Sequence, residues 1–146
     1  MTSDASLPPG RILAVDWGER RIGLAISDPR GVIASPAGFI ARRAGKRPPI
    51  AKLIAKAKEL EVMAFVVGLP LNEQGEDTPR AAEVRIVALE LEKRTGYPVE
   101  LVDERYTTAA ARRAVRALGG KPRERRGDID ALAATVLLQH ALGRSR

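Results

Sequence analysis

The stretch Arg11–Asp28, RILAVDWGERRIGLAISD, decides the fold. Its two β-branched and apolar runs, Arg11–Trp17 and Arg21–Asp28, are separated by Gly18–Arg20, a spacing that predicts a hairpin. Val32–Ala41 reads as a third strand, and Pro36 within it argues for an edge position or a break, because proline cannot donate to a ladder. Pro49–Glu61 carries helical spacing in Ile50, Leu53, Ile54, Ala57 and Leu60. Met63–Val67 is a short apolar run ending at Gly68-Leu69-Pro70, which predicts a buried strand. Thr78-Pro79 reads as an N-cap followed by proline at the first helical position, opening a helix that Gly96 stops after Thr95. Val99–Asp103 is a fifth strand. Thr107 can cap a helix to Leu118, Gly119–Gly127 (GGKPRERRG) is a basic loop, and a last helix runs over Asp128–Leu142. Hairpins followed by alternating helix and strand predict an α/β fold, a mixed five-stranded sheet that is antiparallel and then parallel, flanked by helices.

The chain has 146 residues, 45% hydrophobic and 29% charged, a globular composition for one domain over residues 1–146. No internal repeat or interdomain linker interrupts it, and residues 1–10 and 143–146 read as flexible ends. No apolar run approaches the roughly 20 residues that span a bilayer. The opening MTSDASLPPG lacks the apolar core of a signal peptide, so a cytoplasmic location with no membrane partner is expected. With no cysteine and one histidine, His140, thiolate chemistry, cysteine zinc sites and multi-histidine metal clusters are excluded. Enzyme chemistry would fall to carboxylates.

The net charge of +7 is concentrated. Residues 41–58 hold Arg42, Arg43, Lys46, Arg47, Lys52, Lys56 and Lys58 with no acid, a local +7. Residues 112–126 hold Arg112, Arg113, Arg116, Lys121, Arg123, Arg125 and Arg126 against Glu124, a local +6, which leaves −6 for the remainder. Such blocks suit a polyanion, since cations that neutralise phosphates release condensed counterions. A solvated basic surface is the plainer alternative. Arg42, Arg43, Lys46, Arg47, Lys121, Arg123, Arg125 and Arg126 are the candidate nucleic-acid contacts. Aromatics at 3% argue against a base-stacking platform.

Three acidic positions stand out. Asp16 ends an apolar strand on the face of Ile12 and Ala14, though it could equally cap the following turn. Asp103 and Glu104 end the fifth strand on opposite faces: Asp103 lies with Val99 and Leu101, and Glu104 with Val102 and Glu100. Alternation favours Asp103 as the more buried of the two. On the last helix, at about 100° per residue, Asp128, Thr135 and Gln139 share one polar stripe, whereas Asp130 lies beside Ala134, Leu137 and Ala141. A carboxylate on an apolar face is costly unless paired or bound to a cation, and Asp128 reads as the N-cap. Carboxylates gathered from strand ends and a helix start are oxygen ligands for Mg²⁺ or Mn²⁺. Two such ions about 4 Å apart can activate water and stabilise a leaving oxygen at a phosphodiester. The combination predicts a metal-dependent nuclease.

Asp16-Trp17-Gly18-Glu19-Arg20-Arg21-Ile22-Gly23, Val67-Gly68-Leu69-Pro70-Leu71-Asn72, Val102-Asp103-Glu104-Arg105-Tyr106-Thr107-Thr108 and Asp130-Ala131-Leu132-Ala133-Ala134 occur in the order of the motifs of the YqgF/RuvX family, which the chain resembles from Arg11 to Leu142. That family is described as Holliday junction resolvases or as nucleases maturing the 5′ end of pre-16S rRNA. The resemblance implies an RNase H-like fold. It carries the catalytic, metal-binding acids onto Asp16, Glu104 and Asp130, against the alternation argument at the middle position, with Asp103 and Asp128 in reserve. A bulge at the strand end would reconcile the two. It also implies Mg²⁺ or Mn²⁺ as cofactor and pre-rRNA or branched DNA as partner, together with ribosomal particles. The chain departs from the family at Trp17, usually Phe or Pro, and at Glu19, often Thr.

Two other classes compete. The Asp-x-Gly opening also resembles the phosphate loop of actin-like and sugar-kinase ATPases, but those need a second subdomain, and no Walker A or G-x-G-x-x-G sequence is present. A non-catalytic RNA-binding module would explain the basic blocks but not the acids on apolar faces.

Overall fold

In the strands of the opening hairpin alternate side chains face opposite ways, and both faces are buried, so two layers must cover the sheet. The computed structural model describes residues 10–18, 20–43, 47–106 and 126–144. Over these the chain forms β1 (Ile12–Trp17), β2 (Arg21–Ser27), β3 (Ala34–Ala41), α1 (Ile50–Glu59), β4 (Ala64–Leu69), α2 (Pro79–Thr95), β5 (Val99–Asp103), a single 3₁₀ turn (Glu104–Tyr106) and α3 (Arg126–Arg144). The sheet order is β3-β2-β1-β4-β5. β1 pairs antiparallel with β2 and β2 with β3, whereas β4 lies parallel to β1 and β5 parallel to β4.

The expected mixed sheet is thus present, with Pro36 on an edge strand beside a register irregularity between Gly23 and Ala25. Helix α3 begins at Arg126, two residues earlier than expected. The helix expected over 107–118, and Lys46, Lys121, Arg123 and Arg125, lie outside the described residues. Among the described residues no helix is long and apolar enough to cross a membrane.

One face of the sheet presents Leu13, Val15, Trp17, Ile22, Leu24, Phe65 and Val67 to Leu53 and Ala57 of α1 and to Val84, Val87 and Leu91 of α2. Each large side chain so buried is worth about 1.5–3 kcal/mol. The other face is built from smaller residues, Ala14, Ala25 and Ala64 with Ile12, Val66 and Val102, against Ala134, Leu137, Leu138 and Ala141 of α3. Small side chains let α3 approach the sheet closely. At Gly23 the approach is tightest, because a Cβ there would overlap the backbone carbonyl of Asp130.

Helix α2 is capped as its sequence predicts. Thr78 Oγ1 accepts from the Ala81 N–H at 3.1 Å and donates to the Pro70 carbonyl at 2.8 Å. Gly96, at φ +75°, ends the helix in the left-handed conformation that glycine adopts without penalty.

The β1–β2 turn is held from three sides. The Gly18 N–H donates to the Arg21 carbonyl at 3.1 Å, and the Arg42 N–H donates to the Arg20 carbonyl at 2.8 Å. The Arg42 guanidinium lies 5.0 Å above the Trp17 ring and donates to both carboxylate oxygens of Glu83, at 3.0 and 3.2 Å. It also reaches the Gly18 carbonyl at 3.2 Å, while the Trp17 indole N–H donates to Glu83 at 2.7 Å. Arg42 and Trp17 hold the Glu83 carboxyl below its ordinary range.

Two glycine substitutions should separate the constraints on the α3 face. Gly23→Ala would drive a methyl into fixed backbone, with an expected loss of about 3 kcal/mol or more. Gly68→Ala meets first the Glu104 side chain, which can turn aside, with an expected loss under about 1.5 kcal/mol. Urea unfolding of both variants measures the difference, and equal losses would contradict the close seating of α3 on β2.

Candidate active site

The acids meet on the α3 face at the C-terminal ends of the parallel strands. Asp16 follows Ile12 and Ala14 on that face and is paired across the ladder with Gly23. On its other side the parallel register of Val15 with Val67 brings up Gly68 of β4. Glu104 is the first residue beyond β5, and its carboxyl lies over Gly68, where a Cβ would overlap it. Because β4 presents no side chain at that point, Glu104 spans the strand and shares a hydrogen bond with Asp16.

Burial pushes the Glu104 carboxyl up to about 9, helped by the hydrogen bond and negative charge of Asp16 and by the charge of Asp103, with Arg80 opposing. Two carboxyl groups this close cannot both carry charge without a proton or a cation between them. Asp130, in the first turns of α3, is likewise pushed up by burial and by the charge of Asp16. Arg21 opposes this: its Nε donates to Asp130 Oδ2 at 2.6 Å, with the two side chains 27% and 25% exposed. Asp16 therefore acts electrostatically on both other acids. Among the described residues, no three acidic or histidine side chains yet form a group able to hold one metal ion; the Asp130 carboxylate takes the Arg21 guanidinium instead.

Asp103 points elsewhere. It accepts from Arg105 Nε at 2.9 Å, from Arg105 Nη2 at 2.7 Å and from the Arg105 N–H at 2.9 Å, and this arginine holds its carboxyl below the usual range. Arg105 in turn donates to the Glu73 carbonyl at 3.2 Å and lies beneath Gly75, in the loop between β4 and α2. Asn72 organises that loop by accepting from the N–H groups of Gln74 and Glu76 at 3.0 and 2.9 Å. Asp103 thus secures a loop at the rim of the acidic site.

The alternation reading assigned the two faces of β5 correctly and drew the wrong consequence from them. The face bearing Val99 and Leu101 packs toward α1 and α2, whereas Val102 faces α3, where Asp16 and Asp130 lie. Plain alternation already brings Glu104 to the other two acids, so the bulge invoked to reconcile the two readings is not needed. Asp128 lies in the first turn of α3, inside the helix that it was expected to cap.

Of the candidate nucleic-acid contacts, Arg43 and Arg47 are exposed and Arg126 opens α3. Arg42 is different: with its side chain 8% exposed and committed to Glu83, Gly18 and Trp17, it braces the fold and does not face solvent. Sequence reasoning gave no individual role to Arg21, Gly23 or Gly68, which it met only within motifs, and passed over Glu83. The two glycines were legible in principle, since each continues the α3-facing alternation of its strand, Gly23 with Ala25 and Gly68 with Ala64 and Val66.

The family model described as "RuvX: Holliday junction resolvase" matches residues 10–144. A protein of Roseiflexus sp. (strain RS-1) named "Putative pre-16S rRNA nuclease" is 41% identical over 141 residues, covering 97% of this chain and 99% of its own. A protein of the same name from Clavibacter michiganensis subsp. michiganensis (strain NCPPB 382) is 42% identical over 137 residues, covering 94% of this chain and 85% of its own. Among solved structures, T. thermophilus RuvC in complex with a Holliday junction substrate superposes with a TM-score of 0.60 at 15% identity, covering 92% of this chain and 94% of that one. The yeast mitochondrial Holliday junction resolvase Ydc2 gives 0.56 at 11% identity, covering 96% and 80%. These structural likenesses show the fold, which is RNase H-like. On the family match and the near-full-length relatives together, the chain belongs to the RuvX (YqgF) family.

Proposed function

We propose that this protein is a divalent-cation-dependent endonuclease that hydrolyses phosphodiester bonds in structured RNA, acting in the cytoplasm on the 5′ end of pre-16S rRNA within ribosomal precursor particles. The observation that carries this reading is the Asp16–Glu104 carboxyl pair, forced together across Gly68 with Asp130 beside it. A binding module has no use for such a costly arrangement. The name shared by the full-length relatives favours rRNA as substrate.

The donor set fits Mg²⁺ or Mn²⁺: the ligands are carboxylate oxygens, and the proton that the Asp16–Glu104 pair retains can be replaced by a cation. Asp16 and Glu104 would hold it, joined by Asp130 once Arg21 releases its carboxylate. Once bound, such ions supply an activated water and charge stabilisation at the leaving oxygen. The chain's own residues prepare that state. Glu104 gives up its proton, the Asn72 loop pinned by Arg105 forms one rim, and exposed Arg43 and Arg47 hold phosphates without reading bases.

Cleavage of precursor rRNA and of a four-way DNA junction, side by side with Mg²⁺, Mn²⁺ or EDTA, tests the assignment. RNA cleavage that EDTA abolishes is expected. Asp16→Asn and Glu104→Gln should each lower the rate at least about a hundredfold, and Asp103→Asn by about tenfold or less. A larger loss at Asp103 than at Glu104 would return the middle ligand to Asp103, metal-independent binding without cleavage would leave a binding module, and junction cleavage alone would make the chain a resolvase.

The pH dependence follows from Glu104. Its folded-state value lies above its ordinary 4.5, so the native state retains a proton that the unfolded chain loses. Stability therefore falls as pH rises from about 4.5 toward about 9. Glu104→Gln should remove this slope and raise stability at pH 7 by on the order of 2 kcal/mol, measured by urea unfolding across that range. Cation affinity of the wild type should climb over the same interval. A variant no more stable than wild type at pH 7 would show that Glu104 is ionised there.

Salt dependence separates the arginines. Replacing Arg43 and Arg47 together should lower the slope of log K against log salt on duplex nucleic acid by about 1.8, at roughly 0.9 per phosphate contact. Replacing Lys121, Arg123, Arg125 and Arg126 should lower it by up to about 3.6. Arg42→Ala should leave the slope unchanged and instead lower the melting temperature by several degrees, about 1–2 kcal/mol for a lost buried network. A changed slope in Arg42→Ala would return that residue to the nucleic-acid surface.

A further inference from the structure

We infer that Arg21 is a displaceable internal counter-cation, occupying the Asp130 carboxylate beside the Asp16–Glu104 pair until a substrate phosphodiester takes up its guanidinium, so that nucleic acid and divalent cation bind with positive cooperativity. The inference rests on the proposed nuclease reading and extends it to how the site assembles.

Four observations support it. Arg21 Nε donates to Asp130 Oδ2 at 2.6 Å, which neutralises the third carboxylate. Among the described residues this is the one hydrogen bond that its guanidinium makes, and an arginine has five N–H donors, so four remain for other acceptors. The pair is about one quarter exposed on both sides, open to a phosphate from solution. Arginine also forms bidentate contacts with phosphate, which makes a phosphodiester a good competitor for it.

A tie that merely fastened α3 to the sheet would be redundant. The backbone of Asp130 already lies directly on Gly23, and Leu137, Leu138 and Ala141 bury the rest of the helix. With that backbone fixed, the freedom left is in the two side chains. Arg21 shares the α3-facing side of β2 with Gly23, so a small rotation of its side chain exchanges one anion for another without moving an element. Arg80 acts on Glu104 and is a second cation near the acids, but Arg21 is the one bonded to the third carboxylate.

The exchange is a coupling free energy and must be reciprocal: nucleic acid tightens Mn²⁺ binding by the factor by which Mn²⁺ tightens nucleic-acid binding. Mn²⁺ uptake can be followed by the electron paramagnetic resonance of the free ion, with and without a cleavage-resistant phosphorothioate RNA hairpin or, separately, a phosphorothioate four-way DNA junction. In the wild type, the bound partner should tighten Mn²⁺ binding about tenfold, within the usual range of coupling between sites. Arg21→Gln alone should already bind Mn²⁺ about tenfold tighter than wild type and gain less than about twofold on adding nucleic acid. Arg21→Lys, which keeps the charge but not the bidentate fork, should bind Mn²⁺ alone as weakly as the wild type. Melting temperatures of both variants establish that they are folded.

Equal Mn²⁺ affinity in the wild type and Arg21→Gln would overturn the inference while leaving the nuclease reading intact. Lysine behaving like glutamine would also overturn it, since charge would not be what holds Asp130. Absence of any Mn²⁺ uptake that depends on Asp16, with or without nucleic acid, would instead overturn the metal reading beneath it.

Discussion

The site depends on one constraint: β4 offers no side chain at Gly68. Asp16 lies on β1 and Glu104 just past β5, two strands that are not neighbours in the sheet. Any Cβ between them would occupy the space through which the Glu104 carboxyl reaches Asp16. Glycine in a central strand weakens it, because it brings no packing and loses more backbone entropy. The flanking residues offset this, since Ala64 through Leu69 are buried on both faces of the sheet. A strand rigid enough to lose one side chain is what allows two carboxyls to meet over it.

The second glycine does the same work for the third acid. A side chain at Gly23 would lift α3 from the sheet and Asp130 with it. Proximity of Asp130 to Asp16 is thus set by backbone contact, which is stiff, whereas its pairing with Arg21 is set by side chains, which are not. This difference in stiffness lets a site keep fixed positions and an adjustable charge state.

Much of the fold was legible because its signals are local. The period-two runs, Thr78-Pro79 and Gly96 each act within a few residues, and the structure places the corresponding elements within a residue or two. The candidate site was legible only in part, because a carboxylate's role depends on which layer its strand face meets. Nothing in Val99–Asp103 alone says whether Val99 and Leu101, or Val102, face the helix that brings Asp130. That information lies in α3, and it reverses the ranking of Asp103 and Glu104 drawn from alternation. Burial of apolar neighbours measured only how dry a face is.

Charge composition misled for a related reason. A basic block in sequence assigns every arginine in it to one role, yet Arg42 and Arg43 diverge completely. The alternation that leaves Arg43 exposed turns Arg42 inward, where Glu83 and the face of Trp17 replace its hydration. Desolvating a guanidinium is tolerable only with such partners, and Glu83 lies on α2, far away in sequence. Arg21 and Arg105 are likewise engaged by Asp130 and Asp103. Several arginines that inflate the net charge are therefore paired with carboxylates of the same chain, where they set the geometry and charge of the acids. On the proposed reading, substrate phosphates meet first the arginines that no carboxylate engages, of which Arg43 and Arg47 are exposed examples, and then Arg21 as it leaves Asp130.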